Sequence, residues 1–163
     1  MIYQQALPGQ PLSQGDILDD CPLLSWETAD NGITMIELTH RVLVLTQSCD
    51  LAQAKTSRVV VAVLHEAMDL VRQGMLASAL IRDQIRAHRV YGWYFLPAGD
   101  GVPESVVDLR DLHTVPRTML EGLIADGKRL SRIVTPYREH LAQHFATTYS
   151  RIALPEPYET QAP

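Results

Sequence analysis

Thr46, Gln47, Ser48, Cys49 and Asp50 bring two hydroxyls, an amide, a thiol and a carboxylate into consecutive positions. Such a set could hydrogen-bond a ligand, contribute to a metal site, or present Cys49 as a nucleophile. Nucleophilic work requires a thiolate, which a nearby histidine, cation or helix N-terminus must stabilise. A purely structural role fits the same residues: Ser48 and Asp50 cap a turn while Cys49 packs as a small apolar side chain. His40 lies beyond the far end of the preceding apolar run, about 20 Å from Cys49 at about 3.3 Å per extended residue. His65 ends the next run, closer if the two strands are parallel and farther if a hairpin joins them.

Other residues suggest further chemistry. Asp16, Asp19 and Asp20 cluster after Gly15, and carboxylates so placed could bind a hard cation, act as general acids and bases, or simply solvate a strand end. The cluster lacks the spacing of a helix-loop-helix calcium loop. His140 and His144 are four residues apart and share a helix face, yet Glu139 precedes the first histidine, so the HExxH metalloprotease arrangement is absent. Cys21 and Cys49 form no CxxC pair, and zinc would need ligands from elsewhere. No metal or cofactor is expected. P-loop, GxGxxG, GxSxG and kinase motifs do not occur.

The elements that must position these groups are read from periodicity. Leu7–Gln14 is an arm rich in Pro, Gly, Ser and Gln, within an N-terminal stretch over 1–14. A short strand covers Asp16–Leu18, Leu23–Trp26 pairs locally, and Asp30-Asn31-Gly32 turns the chain, because Asn and Gly tolerate positive φ. Ile33–Thr46 ends in Val42-Leu43-Val44-Leu45, and Arg58–Leu64 is dominated by valine; both read as strands covered on both faces. Gln47–Ser57 is a polar loop between them. Asp69–Ala87 has helical spacing, as one helix or two with Gly74 as the breaker. Val90–Leu96 and Ser105–Leu109 form a hairpin, Thr118–Ala125 a short helix, and Arg129–Val134 a last strand. Thr135 as N-cap and Pro136 at the first helical position open a helix carrying Tyr137, Leu141, Phe145, Tyr149 and Ile152 on one side. Pro155 and Pro157 end it, leaving 155–163 as a frayed tail. Short strands first, with helices inserted and appended, give an α+β fold.

At 163 residues, 46% hydrophobic and 20% charged, the chain is sized for one domain over 1–163 with an ordinary core. Two cysteines and no signal-like start point to a reducing, cytoplasmic setting. No uncharged apolar run approaches the length of a membrane span. The formal charge of -5 provides no general basic field for nucleic acid. Arg72, Arg82, Arg86 and Arg89, and later Arg129, Arg132 and Arg138, could still build a local basic face.

The order Gly15-Asp16-Ile17, Arg41-Val42-Leu43-Val44-Leu45-Thr46 and Val59-Val60-Val61-Ala62, with Ser105–Leu109 and Leu112–Val115 later, resembles the plasmid-maintenance toxin ribonucleases of the MazF/PemK type over about half the chain. The resemblance implies a small, mostly antiparallel SH3-like β-barrel with an inserted helix and a C-terminal helix. It also implies metal-independent cleavage of single-stranded RNA, with Arg41 stabilising phosphate charge and Thr46, or a nearby base such as Asp16, assisting the ribose hydroxyl. The chain departs from that family in having Val42 where proline usually follows the arginine. Three functional expectations follow: a nucleic-acid- or protein-binding module of a prokaryotic stress or defence system, a ribonuclease, or a Cys49-dependent thiol or zinc protein. The first expects single-stranded RNA or a partner protein at a concave site near Asp16, Arg41, Gln47 and Cys49. It also expects an exposed patch on the Trp93 hairpin or the middle arginines.

Overall fold

In a computed structural model, residues 1–7, 9–53 and 55–150 are described. The expected contributions of Ile152, Pro155, Pro157 and the tail 155–163 lie outside them. The chain is α+β. Its strands are β1 (Tyr3–Gln4), β2 (Asp16–Ala29), β3 (Gly32–Val44), β4 (Arg58–Glu66), β5 (Trp93–Leu96), β6 (Ser105–Pro116) and β7 (Arg129–Ile133). Its helices are α1 (Ser48–Ala52), α2 (Ala67–Arg72), α3 (Ser78–Leu80), α4 (Arg117–Ala125) and α5 (Tyr137–Tyr149), with α3 running on as a π-helical turn over Ile81–Ile85.

One seven-stranded sheet runs in the order β1-β7-β2-β3-β4-β6-β5, and its pairs are antiparallel. No ladder joins β1 to β5 among the described residues, so the sheet is not closed by backbone pairing. One cluster takes Tyr3, Ile17, Leu43, Leu64, Leu96 and Leu109 from the strands and Leu141 from α5. On the opposite face, Leu18, Val42, Val61 and Val63 pack against Leu51 of α1 and Leu120 of α4. Central strands covered on both sides are what the unbroken valine and leucine runs require. A third cluster seats α2, α3 and its π turn on Trp93, Phe95 and Val106.

Gly15 shows why the β2–β7 junction demands glycine: its φ is +84, and a Cβ there would sit 3.2 Å from Ile133. The sequence expectation of a strand ending at Leu18 is corrected, because β2 continues as one strand through Pro22 to Ala29. Proline is tolerated there because β7 pairs only as far as Leu18, leaving the side of Pro22 away from β3 without a ladder partner. The expected Gln47–Ser57 loop contains α1, and β6 extends seven residues past Leu109 to Pro116. Gly74, at φ +69, separates α2 from α3. Pro136 takes the N-cap of α5 in place of Thr135, whose hydroxyl donates instead to Glu139 Oε1 at 2.9 Å. Among the described residues no helix is long and apolar enough to cross a membrane.

Candidate functional site

The acidic cluster resolves into three separate sites, Asp16 with two arginines and Asp19 and Asp20 with one cation each. Asp16 is fully buried and meets Arg132 at 2.5 Å and Arg129 at 3.3 Å; it also accepts the Ser13 backbone N–H at 3.0 Å. Asp19 pairs with Arg41 at 2.5 Å, and Asp20 with Lys128 at 2.7 Å. Each carboxylate therefore has its own cation, an arrangement that locks strands together rather than concentrating negative charge for a metal. The Asp19–Asp20 step is the bulge of β2, with Asp20 at φ 57, and it redirects the strand.

Arg41 lies at this bulge, also within 3.7 Å of Glu66, and lines a polar pocket of about 270 Å³ with His40, His65 and Asp69. The pairing of Val42 with Val63 and Val44 with Val61 makes β3 and β4 antiparallel, which carries His65 to the Arg41 end and away from Cys49. Burial pulls the His65 pKa down, so its neutral form is favoured. Thr46 lies five residues on, about 17 Å at 3.3 Å per residue, and its hydroxyl accepts the Val60 N–H at 2.8 Å. The structure thus brings Arg41 and His65 together and separates both from Thr46.

Asp16 and Ser48 are linked through one residue: Ser13, whose N–H binds Asp16, also hydrogen-bonds Ser48 through its hydroxyl at 2.8 Å. Gln47 and Cys49 are exposed and Asp50 is half-buried, with the thiol 3.6 Å from Gln47 Oε1 and 3.9 Å from Asp50 Oδ1. Neither partner is a histidine or a cation, and the helix N-terminus at which Cys49 sits belongs to the five-residue α1. Alkylation of Cys49 is accordingly expected at the rate of an ordinary exposed thiol. Cys21, buried and with its pKa pushed up to about 11, should react only on unfolding. Mass spectrometry of a timed iodoacetamide reaction checks both, and a Cys49 rate far above that of a free thiol would restore the nucleophile reading.

Two features stand out, an arm that the residue types did not flag and a cluster in which His88 joins the His140 and His144 pair. The first is an arm. Beyond the bulge, Cys21–Ala29 pairs only with Gly32–His40, a two-stranded ribbon turned at Asp30 and Asn31. Register places Trp26 opposite Met35, Leu24 opposite Glu37 and Thr28 opposite Ile33, so these side chains share one face. Trp26 is 72% exposed, Ile33 70%, Leu24 57% and Met35 54%. Alternate positions in each strand were the available signal, legible only once the face was known to be uncovered. Trp93, by contrast, is buried, and its ring carries the Arg110 guanidinium at 4.3 Å.

The second is a histidine cluster between β5 and α5. His88 sits 4.7 Å from His140 and 5.8 Å from His144, ring centre to ring centre, and 4.5 Å from Tyr94. His144 is buried, with Nε2 3.1 Å from the Trp93 carbonyl. The Tyr94 hydroxyl lies 3.0 Å from His140 Nδ1, and burial raises that phenol to about 12. Among the described residues, the buried His88 Nδ1 has no hydrogen-bond partner. Burial first, then His140 and His144, lower His88 from 6.5 to about 4. Between those values the unfolded chain binds more protons than the folded one. The His88 contribution to stability is therefore complete above about pH 6.5 and is lost as pH falls toward about 4. Melting curves at pH 7.5, 6 and 5 should show His88→Gln narrowing its gap to the parent as pH falls; a constant gap would contradict this.

The basic face expected from the arginines is mostly neutralised: Arg72 pairs with Asp69, Arg82 with Asp83, and Arg138 with Glu139. Among the described residues no group of three or more His, Cys, Asp or Glu side chains is arranged to hold a metal ion. The chain matches no protein-family model and no curated protein sequence.

Proposed function

We propose that this chain is a protein-binding module of a prokaryotic stress or defence system that docks a partner through the β2–β3 arm. The observation that carries the reading is the uncovered apolar face of Leu24, Trp26, Ile33 and Met35. A lone two-stranded ribbon is marginally stable in water, and contiguous apolar patches on a soluble monomer mark interaction sites. Nothing in the fold requires this face, since the core closes behind it at Leu23 and Val42.

Charge specifies the partner. Glu27, Asp30 and Glu37 lie on the arm, and no Lys or Arg occurs between Cys21 and His40. An apolar groove rimmed by Lys and Arg complements such an arm, whereas RNA phosphates or a second copy of the arm would meet like charge. The ribonuclease alternative needs Arg41 free for phosphate; its engagement by Asp19 and Glu66 disfavours that role.

The finer reading of the fold as an SH3-like barrel belongs to the same proposal. Its support is the approach of the two sheet edges, where the Tyr3 hydroxyl donates to the Pro97 carbonyl at 2.7 Å, and an inner cluster drawn from every strand. Tagged chain and its Trp26→Glu variant, each expressed in the native host and purified under identical conditions, test the function. A protein retained by the parent, lost by the variant and rebound by purified parent supports docking. Identical recoveries from both would refute it.

A further inference from the structure

We propose that the cleft between β5 and the first turn of α5 binds a nucleoside monophosphate, with its aromatic ring against Tyr137 and Phe95 and its phosphate on Arg86. This site is separate from the arm. The cleft has a volume of about 640 Å³, within the roughly 300–1,000 Å³ of small-molecule sites. Its walls are apolar and aromatic, including Phe95, Pro97 and Tyr137, and the polar groups converging on it are Arg86, His88, Tyr94 and His140.

Charge selects an anion. No lining residue among the described residues is a carboxylate. Arg86 makes no close ion pair among the described residues, although its charge acts on Asp83, whose direct partner is Arg82. The Tyr94 hydroxyl and His140 Nδ1, 3.0 Å apart, add hydrogen-bonding groups to the same wall. The start of α5, at Pro136 and Tyr137, forms part of the wall and adds the positive end of a helix dipole. A cation would be repelled here, and an uncharged hydrocarbon would gain nothing from Arg86.

The backbone supplies an independent sign of a functional site. The π turn Ile81–Ile85 directly precedes Arg86, and two residues later His88 adopts φ 54. Inserted π turns and non-glycine residues in left-handed conformations concentrate at ligand sites. His88 Nδ1, buried without a hydrogen-bond partner among the described residues, is a third irregularity in the same wall.

Titration of the purified full chain with AMP and with adenosine, followed by calorimetry and by histidine ring NMR, tests the site. AMP should bind saturably, shift the His88 and His140 ring signals, and outbind adenosine by at least about tenfold. Arg86→Ala should reduce AMP to the adenosine level, and Tyr137→Ala should weaken both; each replaces an exposed side chain, and circular dichroism confirms folding. The arm variant Trp26→Glu should bind AMP unchanged, which separates failure here from failure of the docking proposal. Equal binding of AMP and adenosine, indifference to Arg86→Ala, or no binding of AMP, GMP, CMP or UMP at millimolar concentration would overturn the assignment.

Discussion

Asp16→Ala is expected to lower unfolding free energy by about 3–5 kcal/mol, the range for removing one partner of a buried ion pair. Asp16 is completely buried, and the Arg129 and Arg132 side chains that face it are only 5% and 11% exposed. Removing the carboxylate leaves two guanidinium groups largely out of water with carbonyl partners alone. Those partners belong to the N-terminal arm: Arg129 donates to the Leu7 and Gln10 carbonyls, and Arg132 to that of Pro11. The variant should therefore also be cut faster by protease within residues 9–14. Urea denaturation measures the first effect and limited proteolysis the second. A loss below about 1 kcal/mol, the range of exposed ion pairs, would show that Asp16 does not hold β2, β7 and the arm together.

The second large effect is on binding. Trp26→Ala should weaken the partner at least about thirtyfold, equivalent to the roughly 2 kcal/mol that defines a hot spot. Its melting temperature should stay close to the parent's, because a side chain 72% exposed contributes little to the fold. Met35 directly faces Trp26 across the ribbon. The double variant should accordingly lose less than the sum of the single losses, as contacting residues do. Isothermal titration with the purified partner reads all three. Strictly additive losses would show that Trp26 and Met35 act independently, and a fall in melting temperature that tracks the affinity loss would show that Trp26 supports the fold rather than the contact.

Much of this architecture was legible in the residues. The valine-rich runs ending at Leu45 and Leu64 are strands covered on both faces, and Asp30-Asn31-Gly32 turns the hairpin because Gly32 adopts φ 130. Pattern could not reveal what tertiary pairing decides. The residues between Leu18 and Leu23 read as a break, yet β2 runs on through Pro22 because no strand flanks it on the far side. The three aspartates looked like one cluster, but the bulge at Asp19 and Asp20 sends each to a different cation.

The candidate site was less legible for the same reason. Arg41 and Thr46 are close in sequence, but an extended strand puts them at opposite ends. His65 joins Arg41 because β3 and β4 are antiparallel, an alternative that the sequence left open. Leu24, Trp26, Ile33 and Met35 have the alternation of an ordinary half-buried hairpin. Their significance depends on β4 stopping its pairing with β3 at Val42, a property of distant residues. His88 carries no motif, and only the π turn and its positive φ set it apart.

Photocrosslinking is the most direct test of docking through the arm. A benzophenone amino acid placed at position 35, on the apolar face, and in a second protein at position 34, on the opposite face, samples the two sides of one ribbon under identical conditions. Position 35 should capture a single partner whose crosslinked peptide lies in an apolar groove bordered by Lys or Arg, while position 34 captures little. Equal capture at both positions, or none at 35 in cells where the chain is functional, would contradict the account.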